Sequence, residues 1–286
     1  MSDVLTRPRP ADAEGRADAL LYARYREAEP AFRAALTPAI EAQLSHRSVR
    51  AYRPDPLPEE AIEMAVAAAQ SAPSSSNLQV WSVVAVEDPH RKARLAALAG
   101  NQKHILEAPL FLVWLIDFDR LTQLTPPEGP ACEALDYIET FLLGAVDTSI
   151  AAQNAVVALE SLGLGTVYTG GIRNRPAEVA AELGLPPRVF PLVGLAVGWP
   201  DPERPAAIKP RLPQASVLHH ERYGWSDAQR DAAERYNPRI RAFQREQGMA
   251  EKDWTVQARE RTAGPQSMAG RHVLRVVLNR LGFVLR

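Results

Sequence analysis

The sequence predicts an α+β fold, a sheet flanked by helices, and three features carry that prediction. Residues 109–117 are a nearly continuous apolar run, Leu-Phe-Leu-Val-Trp-Leu-Ile from Leu110, as expected of a strand covered on both faces. Residues 189–198 give a second apolar strand pattern. Glu133 to Leu162 is the longest helical pattern, with Ala145, Ile150, Ala151, Ala155, Ala158 and Leu159 small or apolar nearly all round. A helix apolar on most faces is buried, so it reads as a central helix and a candidate for a subunit interface. Periodicity does not set the strand order.

The chain's 286 residues, 46% hydrophobic and 23% charged, are ample for a full core. A net charge of -1 supplies no global field for nucleic acid or an anionic membrane. Cys132 is the only cysteine, which excludes an intrachain disulfide and fits a reducing cytoplasm. No apolar run reads as long enough to span a bilayer. Arg7 and Arg9 are followed by prolines and acids rather than a signal core, and Asp3, Asp12 and Glu14 argue against a transit peptide. The expectation is a soluble cytoplasmic protein without nucleic-acid or membrane partners. His219-His220 lacks the further ligands of a metal site, so no metal is expected.

Met1 to about Glu14 is polar and proline-containing, and is expected to be disordered. Residues 16–35 read as a helix interrupted near Pro30. Thr37-Pro38 is a helix start, a capping hydroxyl followed by proline at the first helical position, and the short helix carries Ile40 and Leu44 inward. Pro58-Glu59-Glu60 opens the next helix, with Ile62, Val66 and Ala69 as its apolar face, and Pro73 stops it. A Ser-rich turn leads into a buried-looking strand over 80–87. Residues 89–99 read as a helix with Arg91, Lys92 and Arg94 solvated. Gln102-Lys103-His104 reads as a surface turn, with His104 solvated or capping, and 122–132 as a loop. Inside the long helix, Asp147 and Asn154 need partners. Gly163-Leu164-Gly165 closes a helix and opens a strand, the reverse of a dinucleotide fingerprint. Residues 176–183 form a helix capped by Gly184. Prolines 200, 202, 205, 210 and 213 enforce an extended path. Residues 227–246, 253–261 and 268–281 read as three helices of an arm that is basic at Arg271, Arg275 and Arg280.

Polar clusters recur at the ends of these apolar elements, as a scaffolded ligand site requires. They are His46-Arg47-Ser48-Val49-Arg50, Pro73 to Gln79, Gly100 to His104, Tyr168-Thr169-Gly170-Gly171 and Lys209-Pro210-Arg211. Each has an ordinary reading as well: an exposed basic turn, a helix-terminating serine loop, a surface turn, a tight turn, a solvated basic linker. Arginine's donor fork also suits phosphate or a planar heterocycle. Taken in order, the five resemble the nitroreductase family of FMN enzymes, most closely its NADPH-dependent branch of oxygen-insensitive nitroreductases and type P flavin reductases. The likeness runs from about Thr37 to Tyr223, with a weaker echo at the C-terminus. It divides the chain into an extension (1–36), an FMN-binding domain (37–223) and a helical arm (224–286).

The resemblance implies a nitroreductase-like fold with a central, mainly antiparallel sheet, and a homodimer with FMN at the subunit interface. On the matching positions, His46, Ser48, Lys209 and Arg211 would bind the FMN phosphate, with Arg47 assisting. Arg50 would lie beside N1 and O2 of the ring. Ser74, Ser76, Asn77, Gln79 and Gln102 would address ribityl and ring-edge groups. Tyr168 belongs to the same set, with Gly170 and Gly171 offering backbone near N5. The implied reaction passes hydride from NADPH or NADH through FMN to nitroaromatic, quinone or flavin acceptors by a ping-pong scheme, with no side-chain nucleophile. Residues 246–253 are poorer in arginine than the family's pattern, which leaves Lys252 and Arg271 as NADPH candidates and the NADPH-versus-NADH choice open. A second reading is an FMN-binding member without NAD(P)H turnover, in a dehalogenating, flavin-modifying or binding role. A plain structural α+β protein is the third.

Overall fold

The computed structural model describes residues 11–27, 36–125, 128 and 131–286. In chain order the first elements are α1 (Ala11–Tyr25), α2 (Pro38–Ser45), α3 (Ala61–Gln70), β1 (Trp81–Val86), α4 (Pro89–Leu98) and α5 (Lys103–Glu107). Then come β2 (Leu110–Asp117), α6 (Asp119–Leu124), α7 (Ile138–Ser161), β3 (Gly165–Thr169), α8 (Pro176–Leu183) and β4 (Val189–Gly198). The last are α9 (Asp227–Glu234), α10 (Tyr236–Glu246), α11 (Trp254–Arg261) and α12 (Leu274–Arg280). The chain divides into two compact units, Met1–Arg47 with Ala207–Ser267 and Ser48–Ala206 with Met268–Arg286.

The larger unit is built on a four-stranded sheet in the order β1-β2-β4-β3, with every pairing antiparallel. Every residue of β2 is buried, as its unbroken apolar run requires. Its side chains alternate between two cores. Leu110, Leu112 and Trp114 face the small residues Ala65 and Ala69 of α3 and Ala151, Ala152 and Ala155 of α7. Phe111, Val113 and Leu115 face Leu95 of α4, Ile105 of α5 and Val179 of α8. A third cluster joins Phe118 and Phe190 to Leu278 and Phe283 of the C-terminal segment. The outer edge of β3 is lined by residues 48–49, where the Val49 N–H donates to the Thr166 carbonyl at 2.9 Å.

Local signals set several boundaries. Thr37 Oγ1 accepts from the Ile40 N–H at 3.3 Å and Pro38 opens α2. Gly184 ends α8 with φ at 65°, a conformation that glycine adopts without penalty. In the smaller unit, Ser226 and Gln229 form a capping box that starts α9. There Tyr236, Ile240 and Phe243 of α10 make the core, with Leu212 and Trp254 packed on it.

Other boundaries and environments differ from expectation. Residues 11–14 belong to α1 rather than to a disordered tail, while residues 1–10 and the break expected near Pro30 lie outside the described residues. Glu60 sits ahead of α3 in a left-handed conformation, and Ala61, Ala65 and Ala69 form the buried line of that helix, with Ile62 and Val66 half-buried. β1 is an edge strand and largely half-exposed. Lys92 is buried, because its ammonium caps the end of α5 by donating to the carbonyls of Ala108 at 2.5 Å and Pro109 at 3.3 Å. Residues 122–124, the start of the expected loop, are helical and close α6. The long helix is interrupted at Tyr137, with a 3₁₀ turn at Glu133–Asp136 ahead of α7. The expected helix 227–246 is two helices meeting at Arg235, and of 268–281 only α12 is α-helical. Contrary to the bilayer reading, α7 is long and apolar enough to cross a membrane by length and composition. It nevertheless buries one face in the core, and leaves Ile138, Leu142 and Val146 exposed as a stripe.

Candidate functional site

In the larger unit the serine loop is shaped by Asp147 of α7, which is 1% exposed. Its carboxylate accepts from Ser74 Oγ at 2.9 Å, Ser75 Oγ at 3.0 Å and the Ser75 N–H at 3.0 Å. The Ser74 hydroxyl in turn accepts from the Gln79 N–H at 2.8 Å. These bonds hold Ser76, Asn77 and Gln79 in left-handed backbone conformations, with their side chains exposed. Asn154 finds its partner in the Ala68 carbonyl at 3.2 Å, so both polar residues of α7 are satisfied. Arg120 braces the loop's far side by donating to the carbonyls of Gln79 and Trp81 and to Ser82 Oγ. A cavity of about 590 Å³ lies there, lined by Ser74, Asn77, Gln79, Ser82 and Arg120.

The Tyr168–Gly171 loop has a different support. His104 is buried, not solvated, and its Nε2 lies 2.8 Å from Thr169 Oγ1. Burial, and after it the Arg50 charge, lower the His104 pKa. A Cβ at Gly171 would stand 2.4 Å from the Ala99 carbonyl oxygen. Its close approach is therefore to the end of α4, a packing reason for glycine that needs no ligand. Gly171→Ala is expected to cost about 1–3 kcal/mol, read as a lower urea midpoint at unchanged slope. At Gly170 the Arg173 and Arg271 guanidinium groups approach instead, 3.4 Å and 3.8 Å from the point a Cβ would occupy. Burial and then Arg271 lower the Arg173 pKa, so two like charges face this backbone. Tyr168 is exposed, with its hydroxyl 3.4 Å from Gln153, and Gln102 stands half-buried at the start of α5. Arg50 is exposed and follows the buried Val49, and Ser48 is half-buried.

In the smaller unit Lys209 and Arg211 are exposed on either side of the buried Pro210, whose carbonyl accepts from the Tyr236 hydroxyl at 2.7 Å. The Arg24 guanidinium donates to the carbonyls of Lys209 and His46, which brings these two segments side by side. Arg47 is exposed next to them in sequence. A cavity of about 710 Å³ opens here, lined by Tyr25, Lys209, Arg211, Tyr236, Lys252 and Trp254. Lys252 is ion-paired with Glu260, and the Arg245 fork with Glu251 at 2.8 Å.

In the smaller unit, exposed cations on adjoining segments make a donor set suited to a phosphate group. In the larger unit, taken by itself, exposed amides and a hydroxyl line the serine loop and could address the polar chain or edge of a flavin. Four supporting residues escaped the reading of the sequence. Arg173 lies two positions past the double glycine, so its cationic character was visible. Asp147 was visible only as a buried acid in need of partners. Arg24 and Arg120 carry no sequence signal, because their roles depend on distant carbonyls.

Residues 44–199 match the family model described as nitroreductase family, and residues 209–286 match the model for the C-terminal domain of that family. The FMN reductase [NAD(P)H] of Bacillus subtilis is 39% identical over 219 residues, 76% of this chain and 87% of that protein. The oxygen-insensitive NADPH nitroreductase of Salmonella typhimurium is 42% identical over 190 residues, 66% of this chain and 75% of that protein. Among solved structures, the hypothetical oxidoreductase YcnD of Bacillus subtilis superposes with a TM-score of 0.81 at 35% identity, covering 88% of this chain and all of that one.

Proposed function

The chain belongs to the nitroreductase family, and from that premise we propose that it is an FMN-dependent oxidoreductase using NADPH or NADH. The observation that carries the reading is the crowding of cations in the smaller unit. Lys209, Arg211 and the His46–Arg47 segment are collected around Arg24, and Arg211 stands near enough to lower the Arg24 pKa. Such crowding favours a bound anion, and the phosphate of FMN supplies one.

His46, Ser48, Lys209 and Arg211, helped by Arg47, hold that phosphate in the proposed site. Charge-assisted hydrogen bonds contribute roughly 1.5–3 kcal/mol each, so two or three suffice for tight retention with ring stacking. Ser74, Ser76, Asn77, Gln79, Gln102 and Tyr168 address the ribityl chain and ring edge, and Gly170 and Gly171 form the backbone beside N5. Arg50 faces the N1–O2 edge, while Arg173 and Arg271 add positive charge near Gly170. Bound FMN would accept hydride from the nicotinamide and pass it to a nitroaromatic, quinone, flavin or similar small acceptor. Functionally, 1–36 is an extension, 37–223 the FMN-binding domain and 224–286 a helical arm. The exposed stripe Ile138, Leu142 and Val146 on α7, with Met64 on α3, supports a homodimer. A cytoplasmic location accords with the single cysteine.

The test is the visible spectrum of the purified protein before and after anaerobic reduced nucleotide. A flavin spectrum bleached by both NADPH and NADH is expected. Of the two NADPH candidates, Lys252 is already paired with Glu260 and Arg271 lies beside Gly170, so the ratio of kcat/KM for the two donors should be about tenfold or less. Bound flavin that neither nucleotide bleaches would shift the reading to a binding or specialised role. Failure to take up FMN at all would refute both.

A further inference from the structure

Helix α1 lies ahead of the segments matched by the family models, 44–199 and 209–286. Its last turn holds Arg24, which is 8% exposed. The guanidinium spends its donors on backbone. Nη1 donates to the Lys209 carbonyl at 3.1 Å, and Nη2 to the carbonyls of Leu44 at 3.1 Å and His46 at 2.9 Å. The Arg24 carbonyl in turn accepts from the Arg211 N–H at 2.8 Å. The residues after it are anchored too. Arg26 makes a fork to Glu246 at 2.9 and 2.8 Å, and Arg239 pairs with Glu27.

We propose that Arg24 is a positioning residue for the phosphate site. It joins the His46–Arg47 segment to the Lys209–Arg211 segment so that cations far apart in the chain address one phosphate group. This rests on the reading that these residues bind the FMN phosphate. The geometry demands arginine. The fork uses two separate nitrogens, Nη1 toward one segment and Nη2 toward the other, whereas an ammonium has one nitrogen and serves only carbonyls that converge on that point. The three acceptors replace the water lost on burial, so the side chain is satisfied while its charge stays beside Arg211. Burial and then Arg211 lower the Arg24 pKa, so an anion bound here would relieve the repulsion between these two cations. The N-terminal helix then serves cofactor binding without touching the cofactor.

The experiment compares FMN with riboflavin, which lacks the phosphate. Affinities of the full chain for each are measured by quenching of flavin fluorescence, for wild type, Arg24→Met, Arg24→Lys and Lys209→Ala. In Arg24→Met the FMN Kd is expected to rise about tenfold or more. The riboflavin Kd should stay within about twofold, since only the phosphate contacts are disturbed. Arg24→Lys should fall between wild type and methionine, and Lys209→Ala should show the same phosphate-specific loss. Wild-type FMN affinity in Arg24→Met alongside a loss in Lys209→Ala overturns the positioning role and leaves the phosphate site intact. Equal losses of FMN and riboflavin in Arg24→Met show a merely structural residue and also overturn it. Wild-type FMN affinity in Lys209→Ala removes the underlying site and the proposal with it. If Arg24→Met lacks a cooperative melt, Arg24→Lys decides: a phosphate-specific loss supports the role, and wild-type affinity for FMN refutes it.

Discussion

Asp147→Ala is expected to lower the stability of the flavin-free protein by about 2–4 kcal/mol and to weaken FMN binding at least as strongly. The carboxylate is nearly inaccessible and is the common acceptor for Ser74 Oγ, Ser75 Oγ and the Ser75 N–H. Removing it leaves donors in a half-buried loop with no protein acceptor, and an unmet buried donor costs about 1–3 kcal/mol. Water reaches part of the loop, which keeps the total below the sum. The loop also stores strain, since Ser76, Asn77 and Gln79 all hold positive φ. Non-glycine residues in that region persist only where their surroundings over-determine them. Without Asp147 the loop should relax, carrying away the side chains proposed for the ribityl chain and ring edge. Urea unfolding gives the stability change as a lower midpoint at unchanged slope, and fluorescence titration gives the FMN affinity. Asp147→Asn keeps one acceptor oxygen and should lie between. An alanine variant with unchanged midpoint and unchanged FMN affinity would show that the loop is shaped by something else.

The parts of the fold that the sequence disclosed are those where one local signal suffices. β2 and β4 are unbroken apolar runs, so burial on both faces follows from composition alone. Helices α2 and α8 announce themselves by a capping threonine with proline and by a terminal glycine. What stayed hidden depends on contacts between distant residues. Lys92 has the composition of a solvated helix face, and only the position of the α5 terminus makes it a buried cap. His104 looks like a turn residue until Thr169 is placed against it. The edge position of β1 depends on strand order, which periodicity does not contain. The proposed site follows the same division. Its cations and amides stand in recognisable clusters, whereas the residues that hold them in place, Arg24, Asp147 and Arg120, act on backbone or side chains remote in sequence. For Gly171 the motif was visible but its reason was not, since the clash it avoids is with Ala99.

Arg50→Ala is expected to make bound FMN harder to reduce, lowering its midpoint potential by about 20–45 mV. The local backbone aims this side chain outward. Val49 is buried and its N–H is tied to Thr166, while Ala51 and Tyr52 are buried beyond it. Arg50 is left as the exposed residue of an otherwise anchored segment. Its field already reaches the neighbourhood of the double glycine, since it contributes to the lowered pKa of His104, which contacts Thr169. Reduction of a flavin adds negative charge near N1, and a facing cation stabilises that form more than the oxidised one. At about 4 Å and an effective dielectric near 20, two unit charges interact by about 4 kcal/mol. Arg50 is solvent-exposed, and screening should reduce this to about 1–2 kcal/mol. For a two-electron couple about 1.4 kcal/mol corresponds to about 30 mV, which sets the expected shift. A dye-equilibrated spectroscopic titration of the FMN-loaded variant reads it directly. Arg50→Lys should recover most of the potential, because the charge matters here more than the fork. An unchanged potential in an alanine variant that still holds FMN would remove Arg50 from the ring edge, and leave the tuning of the flavin to Arg173 and Arg271 beside Gly170.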